Sequence, residues 1–286
     1  MEITVRKADM SDLEDLLAIE ASAIPGYAYL DEAKDFLIGN TGNQGEMILA
    51  LADGIPAGMG RYSVLPDGSG WLEILRVKKE YQRQGIGMAI YQRYMELAEE
   101  TGAPSVAMFT GRRNTASKSL AERWGFAVAE DFSGYSVPLD RRAEHSEYHL
   151  ITDPDEVEAR IGVWHEDWGK YMCFNRTFMK YGRPLYEWLA GRNMVYGSGE
   201  TTIVLGWRML KERGLHIGFM DGDLTDALAF AADETVQRGL PSLQIMFDRF
   251  YTDMHAFAAH HKMTHTGDLI VMEYVKSCEV NCGIGQ

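Results

Sequence analysis

Two stretches of this chain repeat each other at a fixed offset, and that repeat limits the open folds more than any other feature. One stretch, AEETGAPSVAMFTGRRNTASKSLAERWGF, ends at Phe126; the other, ADETVQRGLPSLQIMFDRFYTDMHAFAAHHKM, ends at Met263. Pro104 and Pro241, Ser105 and Ser242, Arg112 and Arg249, and Phe126 and Met263 all stand 137 residues apart, with no gap between the pairs. Each copy reads as a helical run, a Gly-x-Pro break, a β-rich run and a second helical run. The starts also rhyme: ITVRKADMSDLEDL from Ile3 and HLITDPDEVEARI from His149. The expectation is a duplicated α/β (α+β) domain, residues 1–140 and 146–286. A length of 286 residues has room for both. The seam falls in LDRRAEHSE, Leu139 to Glu147, which is charged and lacks apolar periodicity.

Within the first half, Ile3–Lys7 reads as a strand and Ser11 as the N-cap of a helix whose apolar face is Leu13, Leu16, Leu17 and Ile19. A second helix follows at about 31–38. Strands at 47–53, 57–65 and 71–78 are separated by the turns Gly54-Ile55-Pro56 and Pro66-Asp67-Gly68. A helix at 87–101, a strand at 105–110, a helix at 115–124 and a strand at 128–138 complete the half. In the second half Trp164, Trp168, Tyr171, Phe178, Tyr181 and Trp188 recur at spacings that suggest one helical face, packed between the halves or against a ligand.

Composition narrows the partners. The formal net charge of −14 argues against nucleic acid, whose phosphates need clustered Lys and Arg, and favours cationic small molecules if it favours any. Three cysteines are too few for a disulfide framework, and the lone Cys278/Cys282 pair is weak evidence for metal, so no metal is expected. His255, His260, His261 and His265 are poorly spaced for ligation on one helix. The polar, acidic start does not read as a signal peptide, and no apolar run is long enough to span a membrane. A cytoplasmic protein with no membrane partner is expected, with monomer or homodimer left open.

Between the strand at 71–78 and the helix from Gly87 lies EYQRQGIGMA. Its Gln82-Arg83-Gln84-Gly85-Ile86-Gly87 joins strand to helix. Glycines permit φ > 0 and close backbone approach, and a helix N-terminus offers unpaired N–H groups, so the turn can hold a phosphate. A simple turn would explain Gly-x-Gly as well, and neither GxxxxGK[ST] nor GxGxxG is present. The context adds specificity. EYQRQGIGMAIYQRYMELAEETGA, then FTGRRNTASKSLAERWGF with Asn114 at a helix start and Gly125-Phe126 at its end, resembles the GCN5-related N-acetyltransferase (GNAT) superfamily. The match covers about 72–126, and the element order extends it over the first half.

The resemblance implies two tandem domains, each a mixed, mostly antiparallel sheet flanked by helices. It also implies an acyl-CoA site, with acetyl-CoA as donor. Backbone at Arg83, Gln84, Gly85, Ile86, Gly87 and Met88, after Gln82, would hold the pyrophosphate. Leu75, Arg76 and Val77 would pair with pantetheine, and Asn114 and Ser117 would meet it near the thiol. The reaction implied is direct attack by a primary amine of a small molecule. Peptide or protein acetylation and non-catalytic acyl-CoA binding are the alternatives. Glu73 is the expected base. Ala121 stands where many relatives carry a Tyr acid, so Tyr135 and Ser117 are substitutes. Tyr27, Tyr29 and Asp31, in the loop between the first two helices, are expected to cradle the amine. The second half reads FMDGDLTD at the matching turn, where Leu224 replaces Gly87 and Asp221 and Asp223 repel phosphate, and Tyr251 replaces Asn114. A degenerate second half without a cofactor loop is therefore expected.

Overall fold

Alternating apolar residues in 47–50 send Met47 and Leu49 to one face of a sheet and Ile48 and Ala50 to the other, and this period-two pattern organises the whole molecule. In the computed structural model the described residues are 1–26, 28–40, 42, 44–139, 143–162 and 168–275. The first half runs β1 (Ile3–Lys7), α1 (Leu13–Ala23), α2 (Leu30–Leu37), β2 (Gln44–Ala52), β3 (Ile55–Val64), β4 (Gly70–Val77), α3 (Ile86–Glu100), β5 (Ser105–Gly111), α4 (Thr115–Glu122) and β6 (Ala127–Val137). The second runs β7 (His149–Ile151), α5 (Pro154–Ile161), β8 (Tyr171–Phe174), β9 (Thr177–Lys180), α6 (Arg183–Gly191), β10 (Val195–Ser198) and β11 (Thr201–Gly206). It continues through β12 (Leu215–Asp221), α7 (Leu224–Gln237), β13 (Leu243–Asp248), α8 (Thr252–His260) and β14 (Thr264–Val275).

Twelve strands form one sheet in the order β1-β2-β3-β4-β5-β14-β6-β13-β12-β11-β10-β7. Only β4–β5 and β12–β13 are parallel; the other pairs are antiparallel. The repeat of the sequence is visible in space, since α3, β5, α4 and β6 have their counterparts in α7, β13, α8 and β14. The final strands are exchanged: β14 lies beside β5 of the first half, and β6 lies beside β13 of the second. Two backbone bonds show the pseudo-symmetry. Arg112 N–H donates to the Asp268 carbonyl at 3.1 Å, and Arg249 N–H donates to the Asp131 carbonyl at 3.0 Å. The largest apolar core consequently joins both halves, with Trp71, Phe132, Phe178, Phe219 and Phe247 all buried in it.

Two expectations need correction. Asp9, not Ser11, caps the start of the first helical segment: its carboxylate accepts the Ser11 N–H at 2.8 Å, and Asp12 returns a bond to the Asp9 N–H at 3.0 Å. The aromatic run from Trp168 to Trp188 is not one helical face. Tyr171 and Phe178 lie on the β8–β9 hairpin, and Trp188 lies on α6. Asn175 and Arg176, at φ +51° and +58°, make the two-residue turn that joins β8 to β9. Trp164, Cys278 and Cys282 fall outside the described residues.

Candidate functional site

Strand β4 pairs with β5 only from Gly70 to Leu72, whereas the other edge of β5 pairs with β14 from Ser105 to Gly111. The two parallel strands therefore part after Leu72. On its other edge β4 slips register against β3 between Met59 and Arg61, and Ile74 takes φ +49°. Gly60 sits at the slip. A Cβ there would lie 2.1 Å from the Tyr94 hydroxyl, which donates to the Glu73 carbonyl at 3.2 Å. The kink is thus set by a glycine and a tyrosine packed behind it.

Past the kink, half-buried Leu75, Arg76 and Val77 lead to the glycine turn. Gln82, Arg83, Gln84 and Gly85 are exposed there; Arg83 takes φ +62° and Gly85 φ +95°. Gln82 and Gln84 donate their side-chain amides to the Val77 and Glu80 carbonyls at 3.2 and 2.7 Å, which fixes the turn. Gly85 caps α3 and, having no side chain, leaves the first-turn N–H groups open to an anion. Ile86 is buried and Met88 is exposed. A Cβ on Gly87 would lie 3.2 Å from Leu120 of α4. Asn114 caps α4 by accepting the Ser117 N–H at 3.2 Å, and Ala121 is fully buried further along the same helix. Arg112 is ion-paired with Asp131.

The opposite face of β4 is closed by the second half. The loop between β11 and β12 carries Arg208, which is 6% exposed, across to Glu73, also 6% exposed. Arg208 Nη1 donates to Glu73 Oε2 at 2.9 Å and to Thr177 Oγ1 at 3.0 Å, and Nη2 donates to Glu73 Oε1 at 3.0 Å. Ser63 Oγ donates to the same Oε1 at 2.5 Å, and Arg61 Nε donates to Ser63 at 3.2 Å. Burial pulls the Arg61 guanidinium down to about 10. The loop is itself held, because the Arg208 and Met209 N–H groups donate to Asn175 Oδ1 at 2.8 and 3.2 Å. Asn175 in turn meets His216 Nε2 at 3.1 Å, and burial pushes that imidazole down to about 4, so it stays neutral and accepts. Sequence reasoning missed Arg208; its only signal was one arginine inside the apolar run Gly206–Leu210.

Beside this ion pair a cleft of about 650 Å³ opens between α2, the β3–β4 turn, β9 and α6. Phe36, Asn40, Met179, Trp188, Arg192 and Arg208 line it. Arg192 lies over the Trp188 ring at 4.7 Å, and Arg208 over Phe36 at 4.9 Å.

The other expected site residues are placed as follows. The Tyr29 hydroxyl is pushed up to about 12, chiefly by burial, with the charges of Arg76 and Glu73 acting on it. Asp31 is exposed and paired with Lys34 at 2.8 Å, and neither residue lines the cleft. Tyr27 lies outside the described residues. Tyr135 is on β6, two strands beyond β5, with its hydroxyl 2.9 Å from His255 Nδ1 and its ring stacked on Phe247. The structure does not bring it to the β4–β5 opening.

The matching place in the second half is built differently. Asp223 caps α7 by accepting the Thr225 and Asp226 N–H groups at 3.1 and 3.0 Å, so donors left open at α3 are taken. At the β12 irregularity a Cβ on Gly218 would lie 2.4 Å from the Phe174 ring, so β8 fills that side.

A family model described as Acetyltransferase (GNAT) family matches residues 10–126. A crystal structure of a GCN5-related N-acetyltransferase from Sphaerobacter thermophilus is 15% identical, with a TM-score of 0.66, over 96% of this chain and 95% of that one. A putative acetyltransferase from Pyrococcus horikoshii is 16% identical, with a TM-score of 0.64, over 96% and 90% of the two chains. A tandem GNAT protein from the clavulanic acid biosynthesis pathway is 14% identical, with a TM-score of 0.61, over 97% and 99%. At such identities these likenesses establish the fold, and the tandem arrangement extends over the whole chain. No curated protein sequence matches it.

Proposed function

We propose that this chain, a GNAT-superfamily protein in the tandem-domain form, moves an acetyl group from acetyl-CoA to the primary amine of a small molecule by direct attack in a ternary complex. The family's chemistry is acyl transfer. The observation that carries the donor assignment is the parting of β4 from β5 beside an α3 N-terminus that no side chain caps. The residues fit the donor: N–H groups of 83–88 would hold its pyrophosphate, and the backbone of 75–77, which borders the opening, would pair with its pantetheine. Bound there, acetyl-CoA would supply the acetyl thioester.

The acceptor approaches from the cleft on the other face. Its nitrogen forms the new C–N bond as the C–S bond breaks, and the thiolate leaves. Glu73 takes the amine's proton, directly or through one water. Three of the roughly four acceptor positions of its carboxylate are already used, by Ser63 and twice by Arg208, which leaves one on Oε2. A thiolate with pKa near ~8.5 departs without the acid missing at Ala121, or takes a proton from Ser117 or water. The Leu75–Val77 backbone supplies a donor to the developing oxyanion. The Asp223 cap and the filled β12 face support a second half that holds no donor and instead walls the acceptor cleft.

The test is calorimetric titration of acetyl-CoA with an assay of thiol release over an amine panel. One site per chain, lost in Gly87→Glu, is expected, since the new side chain both crowds Leu120 and charges the anion site. Unchanged binding in Gly87→Glu would sink the pyrophosphate assignment. Binding with no thiol release would favour an acyl-CoA-binding protein, the reading that Ala121 and the paired Glu73 support.

A further inference from the structure

The chain carries a net charge of −14, yet the charged side chains lining its cleft are Arg192 and Arg208, with no acid among the lining residues. Arg208 shares Glu73 with the Ser63–Arg61 relay. Arg192 has no carboxylate partner among the described residues; its one polar bond donates to the Trp207 carbonyl at 3.3 Å. Burial lowers the pKa of Arg192, and the nearby charge of Arg208 adds to that. Behind the cleft residue Asn40, which accepts from Arg61 Nη2 at 2.7 Å, Arg61 Nη1 is buried with no hydrogen-bond partner. Two guanidinium groups thus line the cleft, and a third lies behind it. Like charges held together in a half-enclosed cleft repel, and an anion between them relieves that repulsion. Arginine forks match carboxylates in a bidentate geometry. The remaining wall is apolar and aromatic: Phe36, Leu65, Met179 and Trp188. A volume of about 650 Å³ suits a small molecule.

We infer that the acceptor is an amino carboxylate, an amine that also bears a carboxylate and an apolar or aromatic body, and that Arg192 holds the carboxylate. This rests on the transferase reading only for the role of the amine; the anion subsite stands on the cleft itself. Arg208 also lines the cleft, and it touches Glu73, one residue before the kink at Ile74. A molecule anchored at Arg192 therefore directs its other end toward the proposed reaction point. Such an anchor also sets specificity, because an analogue lacking the carboxylate leaves Arg192 without a carboxylate to pair with.

The experiment titrates 3-phenylpropanoate, L-phenylalanine, 2-phenylethylamine and 2-phenylethyl phosphate into the CoA-saturated protein, alongside Arg192→Gln. Both carboxylates are expected to bind at least about tenfold more tightly than 2-phenylethylamine, the scale of one charge-assisted contact. Arg192→Gln should erase that preference while leaving acetyl-CoA affinity unchanged, which reports that the variant is folded. Equal or tighter binding of 2-phenylethylamine overturns the inference, as does a preference that survives Arg192→Gln. Tighter binding of the phosphate than of the carboxylates overturns the carboxylate class. Carboxylate binding with no thiol release under any amine leaves the subsite standing and removes the transferase reading instead.

Discussion

Replacing Arg208 by methionine tests how the two halves are joined at the site. The side chains of Arg208 and Glu73 are 5% and 4% exposed, so neither charge is screened by solvent. Arg208→Met keeps most of the side chain's length and apolar stem but leaves Glu73 buried with only Ser63 as a side-chain donor, and it frees Thr177. Removing one partner of a buried pair costs about 3–5 kcal/mol. Glu73→Gln, which strands the arginine charge, should fall in the same range. The double variant should lose less than the sum of the singles, by about 2 kcal/mol or more, because no uncompensated charge remains. Urea unfolding monitored by tryptophan fluorescence reads all three variants. Single losses below about 1 kcal/mol, or strictly additive losses, would show that the pair is solvated or mobile, and the argument for a sealed β4 face would collapse. Turnover separates the two roles of Glu73: loss of a positioned base lowers the rate by about 10²–10⁴-fold. Arg208→Met should retain acetyl-CoA binding, because the donor loop lies on other elements.

Two further outcomes follow from the same geometry. Burial pushes the His216 imidazole down to about 4 from an ordinary 6.5, so the unfolded chain binds the extra proton first. Its contribution is fully present above about 6.5 and is lost as pH falls toward 4; pH-dependent unfolding of His216→Gln should lack that slope, and an unchanged slope would assign it to another group. Phe178 is buried against Trp71, Phe109 and Phe132. Phe178→Ala should therefore destabilise the protein by about 3–5 kcal/mol in one cooperative transition, whereas two separate transitions would show that the halves melt independently.

The local patterns were legible early. The strands and helices of the first half fall within a few residues of their expected positions, because alternation, turn residues and the glycine at a helix start act over short stretches of chain. The aromatic run in the second half misled, since spacings of three, four and seven also arise when two short strands and a helix follow each other. The cap of the helical turn that leads into α1 lies two residues earlier than expected, because Asp9 and Ser11 are both good cap types and only the carboxylate geometry distinguishes them. Tyr135 was a reasonable candidate on chain order alone, but its strand closes the sheet of the other half.

What the sequence determined by itself was the duplication at an offset of 137 residues, the element order, the glycine turn that opens α3, and the acidic turn that replaces it before α7. What only the tertiary structure decided was the exchange of β6 and β14, the reach of Arg208 to Glu73 across 135 residues of chain, and the arginine-lined cleft. The physical reason is the same for all three. Either strand has the alternation to close either sheet, and an arginine's partner is fixed by which loop meets which strand, a choice made by long-range pairing and core packing rather than by any local pattern.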